Sequence, residues 1–398
     1  MEEIIEREQM KTYIKANKII LSNQVVENAY LEISQGKFNG IHQTIPEDAH
    51  YLDGGSYTLA PGLVDTHIHG FMGSDVMDGD SEGLRKISEG LLSCGVTSWL
   101  PTTLTDSTDR LDHVCQLIGD HYHSMSGAKM QGIFLEGPFF TEKYKGAQNP
   151  KYMMDPSINQ LQKWNEMSGN RVKKIAIAPE REGTEAFIKY ALDQNIKVGL
   201  AHSNATYQEA KAAVEAGADI FIHTFNGMSG LHHREPGMVG SALSLDNVYA
   251  EVICDGFHVH PAAAKIILKA RGIDETVLIS DCMRAGGLGD GKSSLGEFEV
   301  EVKKGAARLV SNGSLAGSVL TLMASVRNLV EWRIATLEEA VTMASLTPAK
   351  SVGIDNLCGK IEKGLAADFI VLDDQLNLIG TFIDGQQKYG AKLKEEII

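Results

Sequence analysis

The run Pro61-Gly62-Leu63-Val64-Asp65-Thr66-His67-Ile68-His69-Gly70 carries two histidines, one residue apart, at the end of an apolar stretch. Residues two apart on a strand point the same way, so His67 and His69 project side by side. Two imidazoles held like that can ligate one divalent metal at about 2.0–2.1 Å. Alone, the pattern reads equally as an ordinary pair of histidines near a strand end. Other segments decide the matter. Glu136 closes Phe134-Leu135-Glu136, and His202 closes Gly199-Leu200-Ala201-His202. His223 closes Phe221-Ile222-His223, and Asp281 closes Leu278-Ile279-Ser280-Asp281. Each of these by itself reads as a satisfied polar residue beside a loop. Jointly they supply enough ligands for two cations. One takes His67 and His69, the other His202 and His223, with the Glu136 carboxylate as the bridge. Asp281 stands outside the tight ligand set as a proton shuttle. A metal so held lowers the pKa of bound water to about 7. A carbamylated-lysine bridge lacks its residue, because the fourth strand closes on Ala178-Pro179-Glu180.

These groups need strands that end on one rim. Strand patterns fall at 63–69, 98–104, 132–136, 174–178, 198–202, 220–223, 250–254 and 277–281. Helical patterns lie between most of them, as at 81–93, 109–121, 184–194 and 207–216. Eight strands with crossover helices predict an α/β fold, a (β/α)8 TIM-like barrel with its catalytic groups at the C-terminal strand ends. The alternative is an open doubly wound sheet, but no Gly-rich dinucleotide fingerprint follows the first strand. After the eighth strand, 297–302 and 307–310 predict a hairpin insertion. Leu315-Ala316-Gly317-Ser318 then leads into a helix through Arg327 and Glu331. Both flanks carry short strand-like runs, and neither can bury a core alone. They predict one small β-sandwich domain from residues 1–60 and 355–398, around a barrel at 61–354.

With 398 residues, 37 basic and 52 acidic side chains, the chain carries a formal charge of −15. That balance argues against nucleic acid or an anionic membrane as partner, since both require a positive face. It leaves room for a small phosphorylated ligand in a locally positive pocket. The first eight residues are charged and lack an apolar core, so no signal peptide is expected. No run is apolar for long enough to span a bilayer. Five scattered cysteines, an odd number, predict a reduced cytoplasmic compartment.

The ordered set of His-x-His, His, His and Asp resembles the amidohydrolase superfamily. Within it, several segments resemble the N-acetylglucosamine-6-phosphate deacetylases. They include Leu135-Glu136-Gly137-Pro138-Phe139, Lys145-Gly146-Ala147-Gln148-Asn149-Pro150 and His223-Thr224-Phe225-Asn226-Gly227-Met228. Arg234-Glu235-Pro236-Gly237, Asp255-Gly256-Phe257-His258 and Leu315-Ala316-Gly317-Ser318 complete the likeness. It implies hydrolysis of an N-acetyl-D-glucosamine 6-phosphate to the amine and acetate. Glu136, His202 and His223 match metal ligands, and Asp281 the general acid/base. Asn226, Gly227, Arg234 and His258, with Asp255 in the same motif, match sugar-phosphate contacts. Ala147, Gln148 and the turn of Leu315, Ala316 and Gly317 match segments lining the sugar. Some members replace the paired histidines by amides and hold one metal. Retention of His67 and His69 implies a divalent metal at one or two sites per subunit, as zinc, iron, manganese or cobalt. Gln148 stands where some members have histidine, and Cys282 where alanine is usual. Cys282 reads as a soft extra ligand or as a small buried residue. The likeness also implies a homodimer in which the Arg234 loop reaches a neighbouring pocket. His232 and His233, on that loop, read as solvated. Arg234 reads alternatively as a surface partner of Glu235. Rival readings are a deacetylase of N-acetylgalactosamine 6-phosphate, a purine deaminase, or a non-catalytic binding protein on the same fold.

Overall fold

A computed structural model describes residues 11–397. The charged start, residues 1–8, lies outside the described residues. Eight parallel strands make the centre: β1 (Leu63–Ile68), β2 (Val96–Pro101), β3 (Ile133–Phe139), β4 (Val172–Ile177), β5 (Lys197–Leu200), β6 (Ile220–Phe221), β7 (Tyr249–Val252) and β8 (Thr276–Leu278). β3 to β8 pair in chain order as one parallel sheet. β1 pairs with β2, and parallel bridges Thr102↔Phe134 and Ile68↔Cys282 join this pair to both edges of the larger sheet. At the second seam the Asp281 N–H donates to the His67 carbonyl at 2.9 Å. Every residue of β1, β2 and β3 is buried. Parallel strands covered on both faces are expected to read as apolar runs, and the polar residues that interrupt these, such as Asp65, His67 and Glu136, are buried with them.

Helices α1 (Ser81–Leu91), α2 (Thr108–His121), α3 (Ile158–Met167), α4 (Thr184–Asp193), α5 (Tyr207–Ala216), α6 (Gly237–Ser244) and α7 (Pro261–Arg271) follow successive strands. Five of the seven starts carry side-chain caps. Asp80 accepts from Glu82 N and Gly83 N, and Thr206 forms a capping box with Glu209. Each such cap contributes about 1 kcal/mol by satisfying an amide that the helix leaves open. The helix predicted past Gly317 is Leu322–Glu331.

All eight predicted strands are present, but several stop early. β5 ends at Leu200, β6 at Phe221 and β8 at Leu278, so His202, His223 and Asp281 lie on the turns beyond. Those three have φ of 43°, 33° and 48°. The left-handed region is costly for non-glycine residues and clusters where a side chain must be aimed into a site. The insertion after β8 has three strands rather than two: Gly291–Leu295, Phe298–Lys303 and Ala306–Leu309. The first, Gly-Lys-Ser-Ser-Leu, has no apolar alternation that sequence patterning can detect.

Both flanks meet in one eight-stranded sheet. Thr12–Ile20, Val25–Ser34, Lys37–His42 and His50–Pro61 come from one end of the chain. Phe369–Leu372, Leu378–Ile383, Gln386–Gly390 and Lys394–Ile397 come from the other. A separate apolar cluster fills it, with Ile14, Leu31, Phe38, Leu59, Phe369, Val371 and Phe382 at its heart. The ring of Phe369 stacks on that of Phe382. His50–Pro61 passes directly into β1, which ties this sheet to the strand bearing the histidine pair. No helix among the described residues is long and apolar enough to cross a membrane.

Candidate active site

The C-terminal strand ends place six buried side chains together. They fall into two groups: His67, His69 and Asp281, and Glu136, His202 and His223. Within each group the donor atoms lie within 4.8 Å of one another. Glu136 joins the two. Its Oε1 is 3.2 Å from His223 Nε2, 3.4 Å from His202 Nε2 and 3.5 Å from His67 Nε2. Its Oε2 is 3.1 Å from His69 Nε2. One carboxylate therefore touches all four imidazoles, the geometry of a bridge. Asp281 Oδ1 lies 3.4 Å from His67 Nε2 and 3.3 Å from His69 Nε2. Asp281 thus sits within the first group, closer to the ligands than the sequence suggested.

The donor set suits a divalent cation. His67 Nε2 is fully buried and makes no hydrogen bond, although two carboxylate oxygens face it. The carboxylates also set the protonation of the imidazoles. Burial alone would lower His67, but Asp281 and Glu136 outweigh it and draw it up to about 9. His69 is raised for the same reasons, with burial again opposing. Burial pushes Glu136 and Asp281 upward, yet the facing histidines, His67 foremost, hold both below the usual carboxylate range. His223 is lowered, by burial first.

A proton and a cation compete for the same nitrogen. With His67 drawn up to about 9, binding of a cation at neutral pH must expel a proton. The apparent affinity of metal-stripped protein for a divalent cation is therefore expected to climb as pH rises from 6 towards 9. Calorimetric titration in buffers of different ionisation enthalpy reads the released protons. An affinity that is flat across this range, with no proton release, would contradict the assignment.

Other contacts hold the ligands in place. His202 Nδ1 is 3.0 Å from the Tyr144 carbonyl. Gln148 Nε2 donates to Glu136 Oε2 at 2.8 Å, and its Oε1 accepts from Thr105 N at 3.0 Å. Both ends of that amide are thus occupied in positioning the bridging carboxylate. Gly227, at φ 61°, lets the chain pass close to His202, since a Cβ there would lie 2.7 Å from Nδ1.

Above the ligands opens a cavity of about 220 Å³. Its wall includes Ala147, Gln148, Asn226, Gly227, His258, Leu315 and Gly317, seven of the residues named from the sequence. Leu104, Gly146 and Leu295 also line it and were missed. Leu295 comes from the unpredicted strand of the insertion, and Leu104 lies beyond the end of β2. His67 is buried behind the wall rather than in it. Asp255 is not in the wall either. Its Oδ2 is 2.6 Å from His258 Nδ1, so it orients that imidazole. Ala316 is fully buried between the two lining residues. Arg234 lies outside the wall on an exposed loop, with Nη1 2.8 Å from His233 Nε2. Glu235 turns the other way, towards Tyr207 N and Gly237 N. The solvated reading of His232 and His233 agrees with their exposure. Cys282 is buried with Sγ 3.5 Å from the Met283 carbonyl, and packs in the apolar core rather than among the ligands. All five cysteines are free and buried.

Two further buried groups were missed. Glu251 on β7 and Lys174 on β4 are both 0% exposed and pair beneath the ligands. A local signal was available for Glu251, the one charged residue of Tyr249–Val252, whereas Lys174 follows Lys173 in Val172–Ile177 and does not stand out.

Residues 58–388 match the amidohydrolase family, and the chain belongs to that family. An N-acetylglucosamine-6-phosphate deacetylase from Vibrio furnissii is 39% identical over 338 residues, 85% of this chain and 84% of its own. An N-acetylgalactosamine-6-phosphate deacetylase from Escherichia coli O157:H7 is 38% identical over 378 residues, covering 95% and 99%. Among solved structures, N-acetyl-D-glucosamine-6-phosphate deacetylase from Mycobacterium smegmatis superposes with a TM-score of 0.90 at 27% identity, over 94% of this chain and 99% of that one.

Proposed function

We propose that this chain hydrolyses N-acetyl-D-glucosamine 6-phosphate to D-glucosamine 6-phosphate and acetate. The observation that carries this reading is the Glu136 carboxylate shared by four buried imidazoles, at the floor of a cavity walled by Asn226, Gly227 and His258. His67 and His69 on one side and His202 and His223 on the other, joined by Glu136, would hold the divalent metal at one or two sites, and the metal would supply activated water and polarise the amide carbonyl. Asp281, ionised and at the mouth of the ligand cluster, takes the proton from the attacking water. It then returns that proton to the departing amine nitrogen as the C–N bond breaks. Gln148 keeps Glu136 aimed at the imidazoles. Leu315 and Gly317 pack against the sugar, while Asn226, Gly227 and His258 receive the phosphate end. Asp255 fixes the tautomer of His258 by accepting from Nδ1.

Among the described residues of one chain, the wall of the cavity holds neither lysine nor arginine. A phosphate carries close to two negative charges at neutral pH and calls for a guanidinium partner. The Arg234 loop of a second copy is the proposed source, in a cytoplasmic homodimer. Arg234→Ala is expected to raise KM for the phosphorylated sugar by about 30-fold or more, the loss of one charge-assisted clamp of roughly 2 kcal/mol. KM for the unphosphorylated sugar should barely move; equal effects on both would remove Arg234 from this role.

On the same reading, the two bridged seams close β1–β8 into a (β/α)8 barrel over residues 61–354. The sheet of both chain ends then folds as the sandwich domain of residues 1–60 and 355–398. The separate apolar cluster of that sheet supports the division.

A second reading is favoured by one observation. The relative named for N-acetylgalactosamine 6-phosphate is nearly as similar as the first and covers more of the chain. Acetate release from both epimeric N-acetyl hexosamine 6-phosphates, measured side by side, discriminates. A higher kcat/KM for the galacto epimer would replace the first reading with the second. Activity on purines alone would remove both.

A further inference from the structure

Beneath the ligand cluster, three strands bring together a lysine, a glutamate and a histidine. Lys174 on β4, Glu251 on β7 and His67 on β1 are each 0% exposed. Lys174 Nζ lies 2.5 Å from Glu251 Oε1. Glu251 Oε2 lies 3.2 Å from His67 Nδ1. The ammonium also stands 3.8 Å from the centroid of the Phe134 ring, whose edge-on neighbour is His67.

A buried ion pair is weak evidence for stability. Desolvating both charges costs several kcal/mol, and apolar residues of the same size often serve the fold as well. What distinguishes this pair is the third member. Among the described residues, the other ligand imidazoles have no such support at Nδ1. His202 meets only a backbone carbonyl, and Nδ1 of His69 and of His223 is buried without a hydrogen-bond partner. A carboxylate on the far nitrogen of a ligating histidine fixes its tautomer, orients the ring and raises its basicity.

The geometry points to Glu251 and Lys174 as positioning residues for the cation site of His67 and His69. Glu251 accepts from His67 Nδ1–H and so presents the lone pair of Nε2 to the site. Lys174 holds Glu251 ionised and fixes its carboxylate plane from the opposite side. Neither residue touches substrate. The inference rests on the proposed metal-dependent function and adds to it a specific cause for second-site occupancy.

The test uses paired substitutions, because removing one charge alone would strand the other. In E251L/K174M both charges and the acceptor are gone, while side-chain volume is kept. In E251Q/K174M the charges are gone, but an amide oxygen remains to accept from His67 Nδ1. Metal-stripped wild type and both variants are titrated with zinc against a chromophoric chelator, and the metal content of each is counted after dialysis. Thermal melting confirms that each variant is folded. Wild type is expected to bind two zinc ions. E251L/K174M is expected to bind one tightly and to hold the second about 10–100-fold more weakly, the usual cost of losing an outer partner. E251Q/K174M should recover most of that loss, a rescue that general damage to the core would not show. Two zinc ions bound by E251L/K174M with wild-type affinities overturn the inference and leave the proposed function standing. No zinc bound by wild type overturns both.

Discussion

Asp281→Asn is expected to lower kcat by about 10²–10⁴-fold, the range lost with a positioned acid–base group. The substitution keeps the size of the side chain but removes the basic oxygen that faces His67 and His69 at 3.4 and 3.3 Å. Those histidines hold the native carboxyl below its usual range, against the pull of burial. The histidines thus favour the ionised form of Asp281, the form that accepts a proton. Its backbone is tied to the His67 carbonyl, so the amide variant should keep the turn that presents it. Substrate affinity should change little, because the residues proposed to contact the sugar and phosphate lie elsewhere on the wall. Since Asp281 belongs to the His67 and His69 group, a modest loss of cation affinity there is consistent with the assignment. Wild-type turnover in this variant would not be.

Glu136→Gln should have the broader effect. One carboxylate lies within 3.5 Å of four imidazole nitrogens and joins the two ligand groups. The amide keeps the shape but carries no charge, and it turns a nitrogen donor towards part of the cluster. Affinity for both cations is expected to fall by more than the 10–100-fold typical of an outer residue. Turnover should fall with it. Metal content after dialysis and acetate release on the same sample check the two together. A variant that keeps both cations at wild-type affinity would show that Glu136 is no bridge.

The rim residues could be read from sequence because each follows an apolar run, and a strand followed by a lone His, Glu or Asp is a local signal. His67 and His69 were the clearest, since alternation along a strand alone aims both to one side. Pairing across β1–β8 is not local, so sequence could place Glu136 on the same rim as the histidines but not within 3.5 Å of all four. The turns that carry His202, His223 and Asp281 hold them at positive φ, a conformation that histidine and aspartate adopt more readily than most residues but that the local sequence does not specify. Glu251 and Lys174 were passed over for a different reason. Each lies inside a strand rather than at its end, and only the packing of strands far apart in the chain brings them face to face. The strand of Gly291–Leu295 escaped because small polar residues carry no period, yet it delivers Leu295 to the cavity. Arg234 marks the converse case: its type suits a phosphate, while the fold leaves it on an exposed loop outside the wall of its own chain.

The most direct test of metal-dependent deacetylation is acetate release from N-acetyl-D-glucosamine 6-phosphate by protein stripped of metal, before and after a divalent cation is restored. The stripped protein is expected to be inactive, and activity should return in step with bound metal, up to one or two ions per chain. Full activity in protein shown to be metal-free, or no acetate release at any metal content, would contradict it.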